Sequence, residues 1–340
     1  MRSTYALRFG LVATLASLAI ACSGSTEPGL GVAGGAGGAG GAQGTEVPGP
    51  SIPTPAVDGG DPAAQLAACT KVDFVFVIDN SGSMEEEQRN LGANFPRFVS
   101  AIESFRNRTG QSLDYRIAVT TTGITADITM SIAGIPFPLA INQRGDDGAF
   151  LQRSACGMSR RWLERGDANV ASSFACIANV GTDGPGFEMP LEASKRALVD
   201  RVADRSNGSF LRSDALLAVI YLTDEEDCSV PLRSFTAVGD DCAPPPAGAS
   251  TVASYVEMLD SVKGGGTAGR SRWATAVIAG ATDCESSFGS AEKANRMIEF
   301  VRLAGANAVF SSICAGDLAG ALTSALAKFQ VACDNFEPLR

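Results

Sequence analysis

From Val72 onward the apolar positions fall into short unbroken runs separated by longer amphipathic stretches. The runs Val72 to Asp79 (VDFVFVID), Tyr115 to Thr121, Leu216 to Thr223 (LLAVIYLT), Trp273 to Gly280 and Ala306 to Ile313 read as strands. Their hydrophobicity is near-continuous rather than alternating, as expected where a strand is covered on both faces. Helical spacing occupies Glu85 to Ser104, Glu188 to Ala203, Val252 to Val262, Glu292 to Leu303 and Leu318 to Phe329. Pro96 predicts a kink or break in the first of these. Ile128 to Ile141, which contains Gly134, Pro136 and Pro138, predicts a hairpin or edge strand. Residues 142–185 follow neither period and read as an insertion. Strands alternating with helices predict an α/β fold: a doubly wound, mostly parallel central sheet flanked by helices.

The first 70 residues behave differently. Arg2 and Arg8 precede an apolar run from Leu11 to Ile20, the dimensions of an export signal and too short to span a membrane. Ala19-Ile20-Ala21-Cys22 closes it. One reading is a secretory signal with an Ala-x-Ala cleavage site. The other is a lipoprotein signal, because these four residues resemble a lipobox with Ala where Leu is usual. That resemblance makes residues 1–22 a leader and Cys22 an acylated first residue, a membrane anchor. Ser23 after it is similar to lipoproteins sorted to the outer membrane of a bacterial envelope. Residues 23–66 hold 13 Gly and 6 Pro among 44. Such a stretch cannot bury enough apolar surface to offset its ordering entropy, and predicts a disordered tether spanning about 35–40 Å. The length alone suggests two domains, but leader and tether leave residues 67–340 as one.

Composition narrows the chemistry. The 340 residues include no histidine, which excludes Ser-His-Asp and Cys-His triads and His-ligated zinc or haem. The formal charge is −10, against a nucleic-acid partner. Nine cysteines become eight once Cys22 is set aside, an even number for an exported, oxidised chain. Local pairing gives Cys156–Cys176, Cys228–Cys242 and Cys284–Cys314, with Cys69–Cys333 clamping the two ends. The competing reading leaves some of them as buried thiols.

In open α/β sheets ligands bind beyond the carboxyl ends of the strands. The first strand ends in Asp79-Asn80-Ser81-Gly82-Ser83-Met84. Asp79, Ser81 and Ser83 alternate, so three oxygens can face one point, with Gly82 allowing a tight turn. A hard divalent cation takes such a set. The competing reading of the same residues is an Asx turn capping a helix. Leu216 to Thr223 runs into Asp224, a second carboxylate for the same rim. Between these lies Gly181-Thr182-Asp183-Gly184, with a hydroxyl at Thr182. Glu225, Glu226, Asp227 and the pair Asp146-Asp147 read as solvated acidic loops rather than extra calcium sites.

Asp79-x-Ser81-x-Ser83, a Gly-Thr loop and a Leu-Thr-Asp element, in that order, resemble the von Willebrand factor type A domain and its metal-ion-dependent adhesion site. The resemblance covers about residues 70–330. Thr120, Thr121 and Thr122 compete for the threonine position; Thr182 is preferred because GTDGPGFEMPLEASKRAL resembles the family's loop running into a helix. The resemblance implies that Ser81, Ser83 and Thr182 hold Mg²⁺ (or Mn²⁺ or Ca²⁺) directly or through water, with Asp79 and Asp224 as ligands or acceptors behind them. One position on the ion stays open for an acidic side chain of a protein partner. This is binding without catalysis and without a small-molecule substrate. Enzyme motifs point the same way: Ser81 stands where an aspartyl phosphatase would carry a second Asp, and neither Gly-x-Ser-x-Gly nor a phosphate-cradling Gly-x-x-x-x-Gly-Lys loop occurs. The remaining rival is an envelope protein in which the metal only stiffens the fold.

Overall fold

The computed structural model describes residues 69–336 except 133–134, 240–241, 243, 265–271, 287–288 and 317, all within the unit Val57–Arg340. The leader, Cys22 and the tether lie outside the described residues. The strands and helices, in chain order, are β1 (Lys71–Ile78), α1 (Glu85–Ser104), β2 (Asp114–Thr121), β3 (Ala126–Ile132), β4 (Ile135–Gln143), β5 (Leu163–Glu164), α2 (Val170–Ala178), α3 (Pro190–Lys195), α4 (Arg201–Ala203), β6 (Leu216–Leu222), β7 (Ser234–Val238), α5 (Val252–Lys263), β8 (Trp273–Ala279), β9 (Cys284–Ser286), β10 (Gly289–Ala291), α6 (Asn295–Ala304), β11 (Ala308–Ser312) and α7 (Ala319–Asp334). A π-helical stretch, Arg196–Asp200, joins α3 to α4.

Six strands form the main sheet in the order β11-β8-β6-β1-β2-β5. All neighbours run parallel except β5, which is antiparallel to β2. Period-two geometry sends the side chains of β1 to both faces. Phe74, Phe76 and Ile78 enter a core shared with α1, α2 and α7. Val75 and Val77 enter a second core shared with α3, α5 and α6. The expected α/β class, with both faces of the sheet covered, is what the chain adopts.

Phe76 is the hub of the first core. Its ring lies 5.9 Å from Phe95, 5.3 Å from Phe98 and 4.8 Å from Phe174. Phe76→Ala removes a large buried ring among neighbours too tightly packed to collapse, and should cost about 3–5 kcal/mol. Urea denaturation measures this; a loss below about 1 kcal/mol would contradict the packing.

Several expectations change. Pro96 sits inside α1 without ending it. Pro96 is exposed while Phe95, Phe98 and Val99 beside it are buried, so packing of the apolar face holds the helix through the proline. Ile128 to Ile141 is a hairpin, β3–β4, but it joins β7 in a separate three-stranded sheet that the hydrophobic pattern did not announce. Residues 142–185 are more than an excursion. They supply the edge strand β5, and α2 packs Phe174 and Ile177 into the first core. Four disulfides form, Cys69–Cys333, Cys156–Cys176, Cys228–Cys242 and Cys284–Cys314, the same pairs that local reading gave. No helix among the described residues is long and apolar enough to cross a membrane.

Candidate metal centre

Counted along the chain, the six strands of the main sheet lie in the order 3-2-1-4-5-6. The order reverses between β1 and β6, and the carboxyl ends of strands at such a reversal are where open α/β sheets bind ligands. Asp79 follows β1, and Asp224 follows β6 by one intervening residue. The ladder continues past both strands: the Asp79 amide donates to the Leu222 carbonyl at 2.9 Å, and the Thr122 amide to that of Ile78 at 3.2 Å. Three loops are thus brought to one rim by strand register alone.

Asp79 is fully buried and fixed from several sides. The Ser81 amide donates to its Oδ1 at 2.8 Å, and the Thr223 hydroxyl to its Oδ2 at 2.6 Å. Gln88 Nε2 holds the Asp79 carbonyl at 2.8 Å. The Asx turn considered from sequence is therefore real, but it leaves α1 without a side-chain cap. Ser81 and Ser83 present their hydroxyl oxygens 2.9 Å apart, and the Ser83 hydroxyl donates to Glu225 Oε1 at 3.2 Å. Gly82 keeps a negative φ, so the turn does not depend on glycine as expected. The close approach is at Gly184 instead. Its amide donates to the Asn80 carbonyl at 2.7 Å, and a Cβ there would stand 2.5 Å from that oxygen. This contact docks the Gly181–Gly184 loop, with half-buried Thr182, against the Asp79–Ser83 turn. The competing threonines are committed elsewhere: Thr120 to the Ala149 carbonyl, Thr121 to Asp146, and Thr122 to Glu188.

The electrostatics of the rim are those of crowded acid. Burial, followed by the charges of Asp79 and Glu225, pushes the Asp224 carboxyl up to about 8. Burial raises Asp79, opposed by hydrogen bonds from Thr223 and Ser81. Burial also raises Glu188 well above its usual range, with Asp79 the next cause, and lifts Glu87 to about 7. Buried oxygens of Asp224 (Oδ1), Glu188 (Oε1) and Glu87 (Oε2) have no hydrogen-bond partner. Unpaired buried carboxylates are costly, and a cation is the group that would satisfy them. The residues therefore fit a hard divalent ion. Among the described residues no three His, Cys, Asp or Glu side chains could hold an ion by themselves, so an ion at this rim would need hydroxyl ligands as well.

A pH dependence follows for the metal-free protein. Asp224 titrates near its ordinary 3.8 when unfolded and near 8 when folded, so between these values the folded chain binds more protons. Stability then falls as pH rises through that window. In chelator, the Tm should drop between about pH 5 and about pH 8, and millimolar Mg²⁺ should recover it at the upper end. A Tm in chelator that climbs over the same range would refute this.

Sequence reasoning missed Glu188, Glu87 and Gln88, and misjudged the acidic loops. Glu226 and Asp227 are buried rather than solvated. Glu226 accepts from the amides of Asn295 and Arg296 at the start of α6, at 2.8 and 2.9 Å. Asp227 pairs with Arg296 at 2.9 Å and receives the Leu191 amide at 3.2 Å. Asp147 pairs with Arg196 at 2.7 Å. The carboxylates of Glu226, Asp227 and Asp147 serve helix starts and ion pairs.

No protein-family model matches the chain, and no curated protein matches it in sequence. Among solved structures it is similar to the pilus adhesin SpaC from Lactobacillus rhamnosus GG, at 12% identity and a TM-score of 0.41 over 78% of this chain and 31% of that one. It is also similar to proximal thread matrix protein 1 from the mussel byssus with a zinc-occupied MIDAS motif, at 14% identity and a TM-score of 0.35 over 78% of this chain and 46% of that one. The chain thus spans less than half the length of either.

Proposed function

We propose that this chain is a cation-dependent binding domain of the cell envelope, carried on a lipid anchor at Cys22, and that it holds a protein partner rather than transforming a substrate. The observation that carries the reading is the pairing of two buried carboxylates, Asp79 and Asp224, beside the Ser81–Ser83 hydroxyls at the point where strand order reverses. Asp79, Asp224, Ser81, Ser83 and Thr182 would hold Mg²⁺, or Mn²⁺ or Ca²⁺. Bound there, the ion supplies an electropositive point that an acidic side chain of the partner can complete. The protein's own groups orient that point: Gln88 and Thr223 fix Asp79, and Glu225 fixes Ser83. Four disulfides and two cores support a fold that would persist without the ion.

A pull-down from envelope extract, run in Mg²⁺ and in EDTA, tests the proposal alongside thermal denaturation in both buffers. Capture that disappears in EDTA while the domain stays folded supports it. Capture that persists in EDTA sinks it. Complete unfolding in EDTA favours a metal that only stiffens the domain.

A further inference from the structure

The two ends of the parallel sheet differ in the charge they expose. Where the strands begin, several bases meet no carboxylate. Arg106 lies in the loop from α1 into β2, bridged to Ser112, and its guanidinium donates to the carbonyls of Glu103 and Phe105 at 3.0 and 2.7 Å. Arg165 is held at the start of β2: its amide donates to the Tyr115 carbonyl at 3.1 Å, and its guanidinium lies 5.5 Å from the Tyr115 ring and donates to the Glu103 carbonyl at 3.1 Å. Arg302, in the last turn of α6 before β11, is exposed. Lys328 reaches the Ala306 carbonyl, at the entry to β11, at 3.0 Å. Two exposed acids at this end, Glu103 and Asp260, accept from the Tyr115 hydroxyl and the Trp273 indole. The bases flank the sheet, because β11 and β2 stand four ladder steps apart, about 19 Å. A row of that length matches an extended anionic surface better than a single small anion. At the other end of the eight-residue β1, about 26 Å away, the exposed charges are mostly acidic: Glu85, Glu86, Asp183, Asp283 and Glu285. The Debye length is about 8 Å at physiological salt, so a surface meeting the basic end is screened from the acidic one, despite the formal charge of −10.

We propose that the end of the domain where the parallel strands begin docks on an anionic phospholipid surface. Its place in the cell rests on the lipid anchor proposed at Cys22; the contact itself does not. The chain enters the domain at this same end, through Cys69. A tether tied to a membrane would hold these bases near the headgroups at high effective concentration, so a weak contact is enough. Docked this way, the rim proposed to bind the cation points away from the membrane and stays open to a partner.

Sedimentation of the processed chain, residues 23–340, with vesicles tests this, because that chain has neither leader nor anchor. Mixed vesicles of phosphatidylglycerol and phosphatidylcholine should carry it down at low salt and release it at high salt. Pure phosphatidylcholine vesicles should leave it in solution. Arg106→Gln/Arg302→Gln removes two exposed bases from the docking face and should weaken binding at least about tenfold. Arg89→Gln/Lys293→Gln makes the same charge change at the acidic end and should bind like wild type. Equal binding to both kinds of vesicle, or wild-type binding by Arg106→Gln/Arg302→Gln, overturns the proposal. Binding to a DNA duplex as tight as to the mixed vesicles, at the same salt, assigns the face to nucleic acid and also overturns it. An unacylated Cys22 in the native protein, read by mass spectrometry, overturns the anchor and leaves the vesicle result standing.

Discussion

Replacing Asp79 with asparagine should weaken divalent-cation binding at least about a hundredfold, or about 2.7 kcal/mol, while leaving the metal-free domain as stable as wild type or more so. Each half of that result has its own cause. The Asp79 carboxylate is fully buried and accepts bonds from the Ser81 amide and the Thr223 hydroxyl. Asparagine preserves the first bond through its carbonyl oxygen. It preserves the second because the Thr223 hydroxyl can turn and accept from the amide nitrogen. The turn that presents Ser81 and Ser83 therefore survives. What goes is the negative charge that Asp224 and Glu188 both feel, so their mutual repulsion in the absence of metal is relieved. Calorimetry with Mg²⁺ or Ca²⁺ reads the first effect and thermal denaturation in EDTA the second. A variant that bound the ion like wild type, or that melted well below wild type in EDTA, would show that Asp79 is a structural carboxylate.

The second large effect is on stability. Cys69 and Cys333 are 264 residues apart in sequence, and their bond closes nearly the whole domain into one loop. The other three disulfides close loops of 20, 14 and 30 residues. In the chain-entropy account the long loop contributes about 5.6 kcal/mol and the short ones about 3 to 3.6 kcal/mol each. The Cys69→Ser/Cys333→Ser double variant should therefore lose more stability than Cys228→Ser/Cys242→Ser, measured by guanidinium midpoints under identical conditions. The Cys69 amide also donates to the Cys333 carbonyl at 3.0 Å, so the double variant loses support for that contact as well. Equal losses from the two double variants would mean that native-state contacts, rather than loop closure, set the contribution.

The residues that announced the fold are those whose local environment repeats along the chain. In β1 every position from Val72 to Ile78 is buried, so an unbroken apolar run was sufficient to mark it, and β6 is similar. Strand β5 is two residues long and β9 and β10 three each, too short for any period to emerge. β5 is a strand only through its distant partner β2, while β9 and β10 pair with each other. The candidate metal centre divides in the same way. Asp79, Ser81 and Ser83 sit within five residues and form a pattern by themselves, and Asp224 ends a conspicuous strand. Glu188 reads as an ordinary residue at a helix start. Only folding places it against Thr122 and in the field of Asp79, which lie far from it in sequence. Glu226 and Asp227 misled for the converse reason: clustered acid usually faces water, and nothing nearby in sequence reveals Arg296 or the start of α6.

The Cys69–Cys333 bond has a mechanical consequence. It lies at the entrance to β1, and the proposed cation-binding turn lies at the exit, so a partner held at that turn and tension applied at Cys69 would pull along the length of this strand. Strand β1 is bonded on both sides, in register with eight residues of β2 and seven of β6. Lengthwise force therefore shears those rungs together instead of unzipping them in turn. The disulfide diverts part of the same force into α7, which grips the sheet through Leu322, Ala325 and Phe329. In the role proposed above, anchorage and grip would be aligned on a strand braced along both sides, an arrangement suited to holding on under load.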